Sequence, residues 1–252
     1  TINKSTDYFN PVLYTGNETA RTITVGFQPD LVFTKSRSSA HYGIITDSVT
    51  GAGKRLTTPT TNAQDTTGAS VASFISTGYT LTDNSTINGN SETNVSWSWK
   101  AGGSSSSNTD GTITSTVSAN TTAGFSIVKW TGTASAGTIG HGLGVAPKVV
   151  LVKRYSTSGG GWLMQHGDLT GATYVIKLNT TGAEENDGAN FNSAFPTSSV
   201  FSVYNSNNTN ASGADHIAYC FAEKTGFSKF GSYVGNGNTD GTFVYTGFKP
   251  AF

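Results

Sequence analysis

Apolar and polar residues alternate along several short stretches of this chain, which is the pattern of β-strands. Residues 96–99 read Ser-Trp-Ser-Trp, and this period of two predicts a strand with one buried face. Residues 217–221 read Ile-Ala-Tyr-Cys-Phe and repeat the alternation, with Cys220 on the face opposite the aromatic residues. Both stretches therefore predict strands that are covered on one side.

Two other stretches are apolar without alternation. Residues 30–35 (DLVFTK) and 148–153 (KVVLVK) are of the kind found in strands that are covered on both sides. Tight turns are predicted where Asn-Gly and Asp-Gly pairs begin, at Asn88, Asp110, Asn236 and Asp240. No stretch shows a convincing helical period. Short strands separated by turn signals predict an all-β chain of β-sandwich domains, of jelly-roll or lectin-like form.

The same order of elements occurs twice and begins a third time. A glycine-containing turn and a proline precede an apolar strand at 26–35 and 142–153, and the turn and proline occur again at 247–250. In the closing segments of the two complete copies, Asn88 corresponds to Asn210. This periodicity predicts an internal repeat.

The repeat divides the chain into five segments. They are an N-terminal arm (1–10), a first sandwich repeat (11–101), a Gly/Ser/Thr-rich linker (102–124), a second sandwich repeat (125–224) and a partial third repeat that forms a hairpin (225–252). In the linker, residues 112–117 alternate and could add one strand. The incomplete third copy has three explanations: later repeats outside this sequence, which we favour, processing, or completion of a neighbouring sheet.

Composition narrows the classes of function. The formal net charge is zero, so the chain lacks the basic character that nucleic-acid binding requires. The longest apolar runs are too short to span a membrane. The single cysteine, Cys220, excludes an internal disulfide, makes a zinc site implausible and is expected to be a small packing residue.

Candidate chemistry is sparse. Residues 140–144 (GHGLG) could cradle a phosphate, but they lack the strand–loop–helix context and are better explained as a hairpin turn. The densest acidic patch is Glu184, Glu185 and Asp187, for which we expect a polar surface loop first, a weak calcium site second and catalysis third. We predict no catalytic residues, no metal site and no cofactor.

Aromatic residues beside hydrogen-bonding groups are the candidates for glycan binding. They are Trp162, Tyr155, His166, His41 and Tyr42. Trp162 could equally begin a strand and lie in the core, which is the interpretation that we favour because large aromatic residues are usually well buried.

Several segments resemble a repeated domain in bacteriophage virion proteins, the tail-fibre-like or structural proteins of marine and cyanobacterial phages. They include DYFNPVLYTG (7–16), SNTDGTITSTVSANTTAGFSIV (107–128), AYCFAEKTGFSKFGSY (218–233) and GNGNTDGTFVYTGFKPAF (235–252). The resemblance covers nearly the whole chain and is closest from Gly102 onward. It implies a virion location and a β-rich structural or adhesive role, with a trimer as the usual assembly of such proteins.

The sequence therefore leads to one main hypothesis of function and two alternatives. The main hypothesis is a non-enzymatic virion structural or adhesive protein that contacts host surface carbohydrate. The alternatives are a tail enzyme that degrades polysaccharide and a subunit of an extracellular filament or adhesin. The expected partners are other copies of the chain in a homo-oligomer and other virion proteins, without nucleic acid or membrane insertion.

Overall fold

The computed structural model describes residues 2–67 and 71–250, which form an all-β fold of several antiparallel sheets. The two helical pieces are a single 3-10 turn at Ser5–Asp7 and helix α1 at Ser85–Asn88. Thr1, residues 68–70 and residues 251–252, which fall in the predicted arm, first repeat and partial third repeat, lie outside the described residues. No helix in the described residues is long and apolar enough to cross a membrane.

The first half of the chain (residues 2–101) forms two sheets. A five-stranded sheet has the order β1-β8-β3-β4-β5, and a three-stranded sheet has the order β2-β7-β6. The strands are β1 (Phe9–Thr15), β2 (Arg21–Thr24), β3 (Leu31–Ser36), β4 (Ile44–Asp47), β5 (Leu56–Thr57), β6 (Val71–Ile75), β7 (Gly78–Leu81) and β8 (Thr93–Trp99). Strand β1 thus begins inside the segment that the sequence predicts to be an arm.

The second half (residues 102–228) forms an eight-stranded sheet and a pair of strands. Their orders are β16-β15-β14-β13-β18-β11-β10-β9 and β12-β17. The strands are β9 (Ser106–Asn108), β10 (Ser115–Asn120), β11 (Phe125–Thr131), β12 (Gly137–Gly140), β13 (Val149–Arg154), β14 (Trp162–His166), β15 (Tyr174–Lys177), β16 (Glu185–Asn186), β17 (Val200–Val203) and β18 (Asp215–Phe221). The predicted linker contains two of them, and the strand predicted at 112–117 is found three residues later as β10.

The large sheets of the two halves share a strand order and a register. The second half contains four neighbouring strands in the order β11-β18-β13-β14, and the first half contains four in the order β1-β8-β3-β4. In both sets the first strand along the chain is followed in space by the last, then by the two strands that lie between them in the chain. Trp99 lies opposite Phe9 in the first half, and Phe221 lies opposite Phe125 in the second. The central strands β8 and β18 therefore occupy the same place in each sheet.

Three clusters of buried apolar residues hold these sheets together. One lies between the sheets of the first half and includes Tyr14, Ile23 and Tyr79. A second lies between the sheets of the second half and includes Trp130 and Phe201. The third, which we call the interface core, joins the two large sheets; its buried members are Leu31, Ile45, Leu56, Ala101, Phe125, Ile127, Trp162, Ile217 and Tyr219.

The interface core corrects the prediction that β8 and β18 have one buried face. Ser96 and Ser98 are fully buried, whereas Trp97 is partly buried and stacks on Phe33 with ring centroids 5.1 Å apart. In β18, Cys220 is as inaccessible as Tyr219 on the opposite face. Each large sheet is covered on one face by the small sheet of its own half, and its other face packs in part against the large sheet of the other half.

No strand is assigned among the described residues after β18. An isolated bridge pairs Lys224 with Ser228. Beyond it, in the C-terminal segment (residues 229–250), the Thr242 hydroxyl donates to the Val234 carbonyl at 2.8 Å, and the Asn236 side chain donates to the Asp240 carbonyl at 2.9 Å. The segment therefore doubles back on itself, at the predicted Asn-Gly turn, without forming a regular ladder.

Candidate functional site

A concave surface lined by aromatic residues, which we call the aromatic groove, lies at one end of the interface core. It has a volume of about 550 Å³ and lies where the two large sheets meet the N-terminal turn and the C-terminal segment. Its aromatic lining is Tyr8, Phe9, Trp99, Phe125, Phe221, Phe227, Phe230 and Phe248. Small-molecule sites are typically concave and mostly apolar, with a few polar groups, so this groove is the candidate site.

The strand register builds the floor of the groove. Phe9 contacts Trp99 with ring centroids 4.9 Å apart, and Phe125 contacts Phe221 at the same distance. Trp99 meets Phe221 edge-on at 6.1 Å and so connects the two pairs. Phe230 extends the row, with its centroid 5.9 Å from that of Phe221. The result is a continuous aromatic surface to which both halves and the C-terminal segment contribute.

The N-terminal turn and the segment after β18 form the rim. The Lys100 backbone N–H donates to the Tyr8 carbonyl at 2.9 Å, which fixes the turn beside the end of β8. The Tyr8 ring meets Phe227 edge-on with centroids 6.3 Å apart. This contact spans the two rim segments and leaves both rings partly exposed.

The polar groups of the groove are amides, hydroxyls and ammonium groups. The Asn10 side chain donates to the Val25 carbonyl at 2.8 Å, and the Lys229 ammonium lies 3.0 Å from a Glu223 carboxylate oxygen. Lys249 also lines the groove. Among the described residues that line it, none carries a carboxylate. The groove can therefore stack on a flat apolar face and donate hydrogen bonds around its edge, which is what a sugar ring requires.

Trp162 lies in the interface core and not at a surface. It is 2% exposed, its ring stacks on Tyr219 at 6.4 Å, and its indole N–H donates to the Thr57 carbonyl at 3.2 Å. This position agrees with the interpretation favoured from the sequence, in which Trp162 is a core residue. Trp162 presents no face to a glycan in this arrangement.

Tyr155 lies against the same core. It is partly buried, and burial raises the pKa of its phenol well above the usual range. The negative charges of Asp215 and Asp47 raise this pKa further. Its carbonyl accepts a hydrogen bond from the Gln64 N–H at 2.8 Å, so it also joins the two halves. Tyr155 thus has a structural position beside Trp162.

The remaining candidates, His41, Tyr42 and His166, are at least partly exposed. His41 lies 3.3 Å from a Glu92 carboxylate oxygen, at the end of β8 opposite Trp99, and Tyr42 is 59% exposed. His166 ends β14, and its Nδ1 accepts the Asp168 backbone N–H at 3.0 Å. Burial lowers the pKa of His166.

The five sequence candidates therefore do not form one site. Trp162 and His166 lie at opposite ends of β14, roughly 13 Å apart along a strand of this length. The groove residues, in contrast, come from segments that are far apart in the sequence and follow no motif. The available signal is the recurrence of aromatic residues at the same strand ends, as in Phe9 and Phe125.

The acidic patch is engaged in local contacts. Glu184 accepts hydrogen bonds from the Thr170 hydroxyl and backbone N–H, which lower its pKa, and Glu185 pairs with Lys177. In the part of the chain that the structure describes, no three His, Cys, Asp or Glu side chains converge to hold a metal ion. Cys220 is fully buried, and burial raises its thiol pKa to about 12, so it serves as a packing residue.

A family described as a domain of unknown function, DUF7483, matches residues 4–252. The chain belongs to this family. The match extends over both halves, the groove and the C-terminal segment. No curated protein and no solved structure matches the chain. The DUF7483 description names no activity.

Proposed function

We propose that this chain is a non-enzymatic structural and adhesive module of a bacteriophage particle, and that its aromatic groove binds host surface glycans. The observation that carries the binding role is the partly exposed row of aromatic rings from Phe9 to Phe230, flanked by donor groups such as Lys229 and Lys249. The virion location rests on the resemblance of the sequence to tail-fibre-like and structural proteins of phages.

The same proposal includes a tandem arrangement in which each half is one β-sandwich-like unit. An equivalent asparagine in each half supports this. Asn88 accepts the Asn17 N–H at 3.2 Å through its side-chain oxygen and donates to the Thr19 carbonyl at 2.8 Å. We call this pair of contacts the asparagine clamp, because it holds the loop after the first strand.

Asn210 makes the same clamp in the second half. Its side-chain oxygen accepts the Thr133 N–H at 3.0 Å, and its amide donates to the Ser135 carbonyl at 2.7 Å. Asn88 and Asn210 are both fully buried. Matching hydrogen bonds at matching positions favour a duplicated unit, in which two sandwiches pack through their large sheets.

The buried carboxylates favour binding over hydrolysis. Glycoside hydrolysis ordinarily requires two carboxyl groups that flank the substrate. Asp30 accepts the Ala101 N–H at 2.7 Å, and Asp47 accepts the Thr50 N–H at 2.7 Å, so both hold the backbone. Burial raises the pKa of both groups. Neither lines the groove.

Binding to purified host surface polysaccharide by calorimetry tests the groove. Tyr8→Ala and Phe227→Ala should each weaken binding about tenfold, the effect of removing one favourable aromatic contact. Tyr42→Ala is the matched control, because Tyr42 is an exposed aromatic residue at a remote position and should leave affinity unchanged. Loss of binding in Tyr42→Ala alone would place the site at the sequence candidates instead. Release of reducing sugar by the wild-type protein would contradict the non-enzymatic role.

We also propose that the chain forms a homo-oligomer, with a trimer as the assembly that the resemblance suggests. Edge strands with unpaired backbone groups favour pairing between chains. Strand β1 is an edge of its sheet and carries Leu13, which is 65% exposed. Light scattering should give a mass above that of one chain at micromolar concentration. A stable monomer there would contradict this part of the proposal.

A further inference from the structure

The interface core joins unlike surfaces of the two halves. The first half contributes an edge formed by β4, β5 and the loop after β5, with Ile45 and Leu56 in the core. The second half contributes the face of β11 and β18 that is turned away from its own small sheet, with Ile127, Ile217 and Tyr219 in the core. We call the first surface the donor edge and the second the acceptor face. Because the two surfaces differ, the contact is heterologous.

The first half has an acceptor face of its own, which is partly exposed. The strand registers place Val95 and Trp97 where the second half has Ile217 and Tyr219. Ile217 and Tyr219 are 0% and 1% exposed under the donor edge, whereas Val95 and Trp97 are each partly exposed. Leu13, which pairs with Val95 from the neighbouring strand, is 65% exposed. This face is therefore an apolar surface at positions that the second half buries.

The second half likewise has a donor edge of its own. Met164 pairs with Ile176 as Ile45 pairs with Leu56, so the two pairs hold equivalent places in their sheets. Ile45 and Leu56 are 8% and 1% exposed, but Met164 and Ile176 are partly exposed, and Leu178 beside them is 48% exposed. Each half therefore shows to solvent the surface that its counterpart uses in the interface core.

The loop after β5 and the loop after β15 correspond residue by residue. Pairing of Arg55 with Asp65 closes the first loop, and pairing of Val175 with Glu185 closes the second, across loops of equal length. The residue before the closing acidic residue is a glutamine in the first half and Glu184 in the second. The donor edge of the second half thus carries a negative charge at a position where that of the first half carries none.

A matching positive charge lies beside the acceptor face of the first half. In the contact between the halves, the backbone N–H of Gln64 donates to the Tyr155 carbonyl at 2.8 Å. Arg37 holds the place of Tyr155 in the strand register and is exposed. A contact of the same geometry between two copies would bring Glu184 of one to Arg37 of the other. Opposite charges at this point favour that pairing.

We propose that copies of this chain associate head to tail, with the donor edge of the second half of one copy seated on the acceptor face of the first half of the next. The partner is a second copy because the complementary groups lie in the two halves of one chain and repeat a contact that the chain already makes internally. Such a contact extends into a filament or closes into a ring. This inference rests on the duplicated unit and the homo-oligomer proposed above, and it is independent of glycan binding by the groove.

One substitution on each surface tests the contact in the full chain. Val95→Asp puts a charge on the acceptor face, and Ile176→Asp puts one on the donor edge. Sedimentation should show that the wild type self-associates as its concentration rises and that each variant alone does so about tenfold more weakly, because the contact would bury the new charge. Val145→Asp is the control, since Val145 is 43% exposed outside both surfaces and its substitution should leave association unchanged. An equal loss in the control would overturn the proposal.

A mixture of the two variants distinguishes head-to-tail contact from symmetric contact. Val95→Asp keeps its donor edge and Ile176→Asp keeps its acceptor face, so an equimolar mixture should form a dimer that does not extend. Pairing of two β1 edges would not be restored in this way. Formation of the dimer also shows that both variants are folded. A mixture that stays monomeric while the wild type associates would overturn the head-to-tail contact and leave the homo-oligomer standing, whereas a monomeric wild type would overturn both.

A charge exchange tests the same contact without altering its apolar residues. Arg37→Glu and Glu184→Arg should each weaken association about threefold, the modest effect of an exposed ion pair. The double variant should regain wild-type association, because each new residue then meets the other in the neighbouring copy. A double variant that associates more weakly than either single variant would overturn the contact. Glycan binding should be unchanged in all of these variants, so failure of one proposal can be told from failure of the other.

Discussion

The hydroxyl of Tyr219 donates a 2.9 Å hydrogen bond to Oδ2 of Asp47, across the interface between the two large sheets. Asp47 also accepts the N–H groups of Val49 and Thr50, so one buried carboxylate fixes a loop of the first half and a strand of the second. Burial raises the pKa of Asp47. The contact is therefore a polar anchor inside an otherwise apolar interface.

Tyr219→Phe removes this donor and leaves the Asp47 carboxylate buried with one hydrogen bond fewer. We expect the free energy of unfolding to fall by about 1–3 kcal/mol, the usual cost of an unsatisfied buried polar group. Urea denaturation followed by tryptophan fluorescence measures it. Tyr42→Phe is the control, because Tyr42 is exposed and its substitution should change stability by less than about 0.5 kcal/mol. Equal stability of the two variants would contradict the anchoring role.

Burial of the His216 ring makes the stability of the protein depend on pH. Its ring is fully buried and stacked on Trp130 at 5.3 Å, and burial lowers its pKa to about 4. The unfolded chain titrates near pH 6.5 and so binds more protons than the folded chain between these values. The neutral His216 ring therefore contributes about 3 kcal/mol to the free energy of unfolding above pH 6.5. This contribution is lost as the pH falls toward 4.

His216→Asn tests this prediction, because Asn94 is buried at the corresponding position of the first half. Wild type should lose stability relative to the variant between pH 6.5 and 4. His141, whose pKa burial also lowers, acts in the same direction in both proteins, so the difference between them isolates His216. Denaturation series at several pH values give this difference, and parallel curves would contradict the prediction.

Most of the strands and the turn at Asn236 could be predicted from sequence, because they depend on local periodicity and on turn residues. The turn predicted at Asn88 is instead the end of helix α1. The same information could not show that β8 is covered twice, since the cover on its outer face is the other half of the chain. Ser96 lies on the face that packs on the small sheet of its own half and is buried, whereas Trp97 lies on the face that is turned towards the other half and is partly exposed.

The aromatic groove is the part that sequence could not place. Phe9, Trp99, Phe221 and Phe230 meet only because two sheets and the C-terminal segment converge at one end of the interface core. In contrast, Trp162 follows a glycine run that resembles an exposed loop, yet its indole N–H finds an acceptor in the other half. Exposure at these positions is set by contacts between the halves, which no local pattern contains.

The side chain of Lys153 is more deeply buried than that of Lys35, which holds the corresponding position in the first half. Its ammonium donates to the Gly160 carbonyl at 2.6 Å in a fully buried site, whereas Lys35 donates to the His41 carbonyl at 2.5 Å from a partly exposed one. Burial, aided by the charge of Arg154, lowers the pKa of Lys153 to about 8. Below pH 8 the folded protein therefore holds a poorly solvated charge.

Lys153→Met removes that charge and keeps the apolar stem. At pH 7 we expect the variant to be more stable than wild type by about 1 kcal/mol, because the desolvation cost exceeds the lost hydrogen bond. Wild type regains stability as pH rises from 8 toward the unfolded value near 10.4, so the advantage should shrink there. A variant that is less stable than wild type at pH 7 would contradict this account.

The asparagine clamps make the last prediction, which compares the two halves directly. Asn88→Ala and Asn210→Ala each remove a fully buried amide that donates to and accepts from the loop after the first strand. Several backbone groups then lose their partners, so each variant should lose about 2–4 kcal/mol of stability. Thermal unfolding measures the losses, with Asn236→Ala, in the exposed C-terminal segment, as the control. Similar losses in both halves, with little change in the control, are expected from equivalent clamps; a large loss in one half alone would mean that the clamps are not equivalent.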